Sequence, residues 1–503
     1  MFGMRGTVRA KGMANMDVKR VREDFPILGQ QVHGHPLVYL DNSATTQVPE
    51  QVLSTVAEHY RTSNANVHRG MHYLAHASTD ALERARETVA RFVGVADSSC
   101  VVFTRGTTDG LNMVARGLAH VLGPDDAVVV SLMEHHSNYV PWQQACFAKG
   151  ADFRVAGLTA EGDLDEAHYA ELLADGKVKI VAMTGCSNVL GTVTPVKRLA
   201  KMAHDAGALF VLDGAQIMRH GVVDIADLGV DFLSFSGHKM MAGTGIGALC
   251  GTRDALEMLA PRDFGGEMVG KVTQALTTWE ELPLRLEAGT PNYVGAIALG
   301  AACDYLCALG REEIAAYESE LVNHAVGVLG KIEGLHIAGS PKERAGLVSF
   351  TIDGVHPLDL CTLIDARGVA LRSGHNCAQP VLDWLETSSV ARLSPAFYNT
   401  SAEIDYGELA APAADFLAFI MSTEGQAVVS DNNYIAIDDA ADLPRCAPCP
   451  PLEFSLENLC LVRRNGRQYA ARGLWIADNP HAVVELVVVE RALPHVFLRE
   501  IHD

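Results

Sequence analysis

The stretch "FLSFSGHKMMAGTGIG" (residues 232–247) opens with an apolar run, breaks at Ser236, His238 and Lys239, and continues into a glycine-rich segment. The run lacks the strict alternation of a half-buried strand, so it predicts a strand covered on both faces. A lysine just after a strand is ordinarily a solvated terminus. The other reading is an amine held in a pocket, where desolvation and nearby positive charge lower its pKa and make it a nucleophile. The same pattern recurs upstream. "CVVFT" (100–104), "AVVVSL" (127–132), "KIVAMT" (179–184) and "ALFVLD" (208–213) are short runs of this kind, while "STDALERARETVARFVG" (78–94) and "PVKRLAKMAHDAG" (195–207) have helical period. Such alternation predicts an α/β fold, with a mainly parallel sheet flanked by helices. In such sheets ligands gather beyond the carboxyl ends of the strands.

The 503-residue chain exceeds one ordinary core. Residues 1–16 are set aside as an N-terminal extension, 17–299 form a large domain, and 300–421 form a smaller α/β domain. A linker follows at 422–450, and then a small β-rich appendage at 451–503, with an Asn-Gly turn in "LCLVRRNGRQYAARGLWIA" and a strand in "AVVELVVVE". With 48% hydrophobic and 20% charged residues the composition is globular, and no apolar run approaches the roughly 20 residues that cross a bilayer. These features predict a soluble cytoplasmic protein with no membrane partner. A net charge of -21 argues against nucleic acid as a partner. The 11 cysteines are scattered, as free thiols in a reducing compartment would be. Cys446 and Cys449 in "CAPC" have the spacing of a metal or redox pair, but no second pair completes a ligand set, and no metal site is assigned.

Five segments end or follow predicted strands. "TRGTTDG" (104–110) brings hydroxyls and glycines to a helix start, an arrangement suited to phosphate. "MEHHSN" (133–138) offers imidazoles, "SNVLGT" (187–192) an amide, "LDGAQ" (212–216) Asp213 and Gln216, and "SGHK" (236–239) the lysine. Singly, each is a helix cap, a satisfied histidine, a turn or an ion pair. Together they supply what pyridoxal 5′-phosphate requires: an amine, an acid for the pyridine nitrogen, a flat ring to stack, and a phosphate cradle.

With "VREDFPIL", "VYLDNSATTQVP", "NVHRGMHYLAH", "RGTTDGLN", "EAGTPN", "RSGHNCAQP" and "YNT" in the same order, the chain resembles class V, fold type I pyridoxal-phosphate enzymes over about residues 17–421. Within them it is most similar to the group II, SufS-like cysteine desulfurases. The resemblance implies Lys239 as the Schiff-base lysine and proton-transfer group, Asp213 on the pyridine nitrogen, and His135 stacked on the ring. It places Asn188 and Gln216 near the phenolic oxygen, and Thr108, Ser236 and His238 on the phosphate. Thr290 would reach across the interface of an obligate homodimer. Arg392 would grip the substrate carboxylate as a planar fork, with Arg372 and Asn188 beside it.

Cys377 selects among the reactions open to such a fold. A loop thiol is more often structural than reactive, but cationic neighbours favour thiolate, and this one matches the family's catalytic cysteine. The implied function is conversion of L-cysteine to L-alanine, with a persulfide left on Cys377 for a protein sulfur acceptor in iron–sulfur or other sulfur-cofactor synthesis. L-selenocysteine as substrate is an alternative. So is a class V aminotransferase, racemase or lyase in which Cys377 is idle, or a catalytically silent scaffold. The chain departs from the family pattern at "MMAGTG", at "DFGGEMVG", at "ARLSPA", and at Asn376, where a second histidine is common.

Overall fold

The computed structural model describes residues 16–406 and, further along, strands at 459–464, 467–472 and 485–487. Seven strands form the central sheet: β1 (Val101–Thr104), β2 (Ala127–Ser131), β3 (Asp152–Ala156), β4 (Val178–Thr184), β5 (Leu209–Asp213), β6 (Phe232–Ser236) and β7 (Gly247–Gly251). Their order is β1-β7-β6-β5-β4-β2-β3. β6, β5, β4, β2 and β3 are parallel neighbours, and β7 runs antiparallel between β1 and β6. The unbroken burial of β1, β2, β5's last four residues and β6 is what non-alternating runs dictate when helices cover both faces. Sequence periodicity foresees five of these strands. It misses β3, whose polar Asp152 and Arg154 dilute the run, and β7, hidden in the glycine-rich segment.

The covering helices include α1 (Tyr73–Phe92), α2 (Thr107–Gly117), α3 (His136–Lys149) and α4 (Val196–Asp205). Next come α5 (Tyr293–Leu309) and α6 (Arg311–Leu329). A domain boundary between residues 299 and 300 is wrong, because α5 runs straight through it. Gly300 sits so close to α1 that an added Cβ would lie 3.0 Å from the Cα of Ala85. Glycine there permits close packing, and α5 belongs with the large lobe's helices.

The small lobe carries an antiparallel sheet of β8 (Leu335–Ile337), β9 (Val348–Ile352), β10 (Arg372–Gly374) and β11 (Val390–Leu393), in the order β8-β9-β11-β10. It is tied to the large lobe at several points. Val38 and Tyr39 pair in parallel with Val369 and Ala370. Arg219, just beyond β5, pairs with Glu318 of α6 and donates to the Pro395 carbonyl at 3.2 Å, while His220 Nδ1 meets Glu318 at 2.6 Å. All three side chains are about 2% exposed, so this charge is neutralised locally and not by water.

A short helix at Ser401–Tyr406 ends the continuous run of described residues. The chain divides into compact units at Asn432/Asn433, inside the predicted linker. In the second unit Leu459–Arg464, Arg467–Arg472 and Glu485–Val487 form a three-stranded antiparallel sheet. The first two strands are separated by Asn465 and Gly466 alone, the dipeptide expected of a tight hairpin. Cys446 and Cys449 lie outside the described residues. Among those residues the cysteines form no disulfide, and no single helix is long and apolar enough to cross a membrane.

Candidate active site

The carboxyl ends of β1, β5 and β6 bring the predicted residues together. Asp213 closes β5 at 2% exposure, and its Oδ1 accepts from the Ala215 amide at 2.8 Å. Burial raises its pKa, against the pull of the Ala215 N–H and the charge of Lys239. Such a carboxyl is poised to ionise once a cation is seated against it. Lys239 ends the single turn Gly237–Lys239 after β6, and its amine has no hydrogen bond or ion pair among the described residues. Its pKa falls to about 8, chiefly through burial; Asp213 and Cys377 oppose the fall, and Arg392 and Arg372 add to it. This is the pocketed amine, not the solvated terminus.

The β1–α2 junction makes an anion cradle. Gly106 caps α2 at φ 144°, a region barred to residues with a Cβ, and an added Cβ on Gly247 would lie 2.6 Å from the Gly106 Cα. The Ser236 hydroxyl accepts from the Thr107 amide and bonds the Thr107 hydroxyl, both at 2.7 Å. Thr108 is in the first helical turn, where amides have no intrahelical acceptor, and its exposed hydroxyl meets Ser137 Oγ at 2.7 Å. The His238 carbonyl accepts from the Thr46 amide at 2.8 Å. Burial, with help from the Lys239 charge, lowers the His238 ring to about 4, leaving it a neutral donor.

His135 N-caps α3, its Nδ1 accepting from the Ser137 amide at 3.1 Å. Burial first, then Lys239, takes its pKa to about 3, so the ring is neutral with its proton on Nε2. Gln216 Nε2 donates to the Ser43 carbonyl at 2.9 Å and Asn188 Nδ2 to the Asn376 carbonyl at 2.6 Å. Each amide keeps a second N–H for another acceptor. A free amine, a buried acid, a neutral ring and a helix-capped cradle fit pyridoxal phosphate.

Arg392 on β11 is 3% exposed. Its Nη1 donates to the Asn188 carbonyl at 2.9 Å, its Nη2 lies 3.4 Å from Asp41, and its buried Nε has no partner among the described residues. An orphaned guanidinium edge of this kind calls for a carboxylate. Burial pulls its pKa down to about 10, with Asp41 opposing. Arg372 is more exposed and grips Asp41 through Nε and Nη2 at 2.8–3.1 Å. The predicted Cys377 loop is found as a loop, with Cys377 exposed and with Asn376 and Cys377 at φ 50° and 52°. Two successive left-handed residues without glycine mark a backbone held by its surroundings. Thr290 stands exposed three residues ahead of α5.

Sequence reading missed three members of the site. Asp41, inside the quoted "VYLDNSATTQVP", joins the two arginines. His136, beside the chosen imidazole, contacts the Cys377 loop. Glu134 is wholly buried and takes donors from Ser131, from Asn138 at 2.7 Å and from the Thr184 amide at 2.9 Å. Burial raises its carboxyl to about 8 against those donors. An acid at the end of the apolar run "AVVVSLME" was the available signal, because such a residue folds inward only with partners supplied.

The class-V aminotransferase family profile matches residues 38–406. A probable cysteine desulfurase of Halalkalibacterium halodurans is 45% identical over 391 residues, which cover 78% of this chain and 96% of that relative. A probable cysteine desulfurase of Staphylococcus aureus is 45% identical over 393 residues, covering 78% and 95%. Among solved structures, the apo cysteine desulfurase of Thermococcus onnurineus superposes with a TM-score of 0.74 at 35% identity, covering 79% of this chain and 97% of that one. The Escherichia coli cysteine desulfurase CsdA (S-sulfonic acid) gives 0.72 at 35% identity, covering 80% and 99%. The fold expected from the resemblance, fold type I with a large and a small lobe, is the one found, and the chain belongs to the class-V aminotransferase family.

Proposed function

We propose that the protein is a pyridoxal-phosphate-dependent cysteine desulfurase that moves the sulfur of L-cysteine onto Cys377. The observation that carries this reading is the presentation of an exposed thiol, on a strained loop, close enough to Lys239 to act on its charge. Pyridoxal phosphate, when bound, withdraws electrons from the substrate so that its Cα proton and its C–S bond become labile.

The chain's own groups do the rest. Lys239 would hold the cofactor through its amine, and the same amine would move the Cα proton. Asp213 would pair with the pyridine nitrogen, His135 would cover the ring, and Asn188 and Gln216 would offer amide N–H groups to the phenolic oxygen. Thr108, Ser236 and His238 would hold the phosphate, and in a homodimer Thr290 would reach it from across the interface. Arg392 takes the substrate carboxylate on its free edge, and Arg372 adds charge beside it. The Cys377 thiolate attacks the substrate sulfur; an S–S bond forms, the C–S bond breaks, and its electron pair stays on carbon, which takes up a proton to become alanine.

The reading extends to a SufS-like group II enzyme acting in the cytoplasm, passing its persulfide to an acceptor protein for iron–sulfur assembly. A homodimer is supported by large apolar side chains left exposed, among them Met71 at 90% and Tyr73 at 82%. The test is incubation with L-cysteine and a thiol reductant. Alanine and sulfide are expected in equal amounts; pyruvate, or alanine without sulfide, overturns the reading.

The lowered Lys239 pKa sets a pH dependence. At about 8, roughly a tenth of the amine is neutral at pH 7, against about one part in a few thousand for an ordinary lysine. Only the neutral amine condenses with an aldehyde. The rate at which apoprotein takes up pyridoxal phosphate is expected to rise about tenfold per pH unit below 8 and to level above it. A rise continuing to pH 10 counts against the pocketed amine.

A further inference from the structure

We infer that His136 is a positioning residue for the Cys377 loop, holding the thiol in register through the acceptor nitrogen of its ring. This rests on the reading of Cys377 as the sulfur acceptor. Three observations converge on it. The His136 amide donates to the Cys377 carbonyl at 2.7 Å. Its Nε2 accepts from the Gln379 amide at 3.2 Å, at the start of the short helix Gln379–Trp384 that ends the loop. Its ring stacks on His375, with centroids 6.0 Å apart and planes 29° from parallel.

His136 therefore brackets Cys377, touching the residue itself and the residues two before and two after it. In addition, the Asn188 amide holds the Asn376 carbonyl at 2.6 Å. Inside the loop, the Cys377 amide donates to His375 Nδ1 at 3.0 Å. The two consecutive left-handed residues persist because both ends of the turn are pinned. His136 is also the first residue of α3, and its neighbour His135 is the N-cap. The loop that carries the thiol is thus docked on the helix start that carries the ring-stacking histidine. The Gln379 contact requires a neutral imidazole, since a protonated ring has no acceptor. Burial and the facing His375 both lower the His136 pKa and keep it so.

Two substitutions separate the contacts. His136→Gln keeps an acceptor at the reach of Nε2, and His136→Phe keeps a flat ring against His375 without one. The first readout is hydrogen exchange of the Gln379 amide in cofactor-free protein, together with the rate of iodoacetamide labelling at Cys377 followed by peptide mass. The second is the kcat and KM of the holoenzyme with L-cysteine. His136→Phe is expected to lose protection at Gln379, to label several-fold faster, and to lose about tenfold in kcat with KM within twofold. His136→Gln is expected to match the parent protein. If His136→Phe keeps parent-like exchange and labelling, the inference is overturned, whatever the desulfurase assay shows. If exchange and labelling change as expected while Cys377→Ala retains turnover, the loop anchor stands and the desulfurase reading falls.

Discussion

Lys239→Ala protein is expected to fold, to retain pyridoxal phosphate only by noncovalent contacts, and to turn over L-cysteine at least about 10⁴-fold more slowly than the parent. The change removes an amine that has no hydrogen bond among the described residues, and Asp213, whose pKa burial already raises, loses only the charge that opposed that rise, so stability is little altered. It removes both the covalent attachment and the group that moves the Cα proton. Borohydride followed by denaturation is expected to leave the cofactor fixed to the parent chain and free of the variant. Cofactor fixed to a different lysine overturns the assignment, and near-parental turnover removes Lys239 from the mechanism.

Cys377→Ala separates chemistry from binding. The side chain is exposed and supplies no hydrogen bond to the loop among the described residues; the loop's anchors use the backbone of residues 376, 377 and 379. The variant is therefore expected to bind cofactor and L-cysteine as the parent does. It should release alanine on the order of 10³-fold more slowly or worse, because no thiolate is available to take the sulfur. L-selenocysteine is the control, since selenium departs without that acceptor and its turnover is expected to continue. Undiminished alanine formation from L-cysteine would leave the fold and cofactor site intact and assign the protein to another reaction of its family.

Much of the site was legible because its residues sit where strands end, and strand ends show in sequence as the point where an apolar run meets Gly, Ser, Asp or His. Asp213, Ser236 and Lys239 were found in this way. Asn188, Thr108 and Arg392 needed the ordered motifs as well, since an amide, a threonine and an arginine have many ordinary roles. His136 and Asp41 escaped because their partners lie more than 200 residues away, and nothing local records a contact to Gln379 or Arg372. The lobe boundary failed for a different reason. α5 is apolar almost all round, so its sequence shows where it is buried but not which lobe buries it. β7 failed because Gly247 and Gly251 are demanded by close approach of neighbouring backbone and resemble a loop in composition.

The unbroken Tyr293–Leu309 helix has a bearing on turnover. Its flank lies on α1, and after a 78° turn at Gly310 the helix that follows carries Glu318 into the buried pairing with Arg219 and His220. Swinging one lobe on the other would pull Glu318 out of that buried pairing, so the latch resists it. Arrival of the amino acid and departure of the sulfur then fall to the short segments at the strand ends, chiefly the one bearing Cys377. Their excursions belong to the nanosecond-to-microsecond range and not to the slower one of lobe closure.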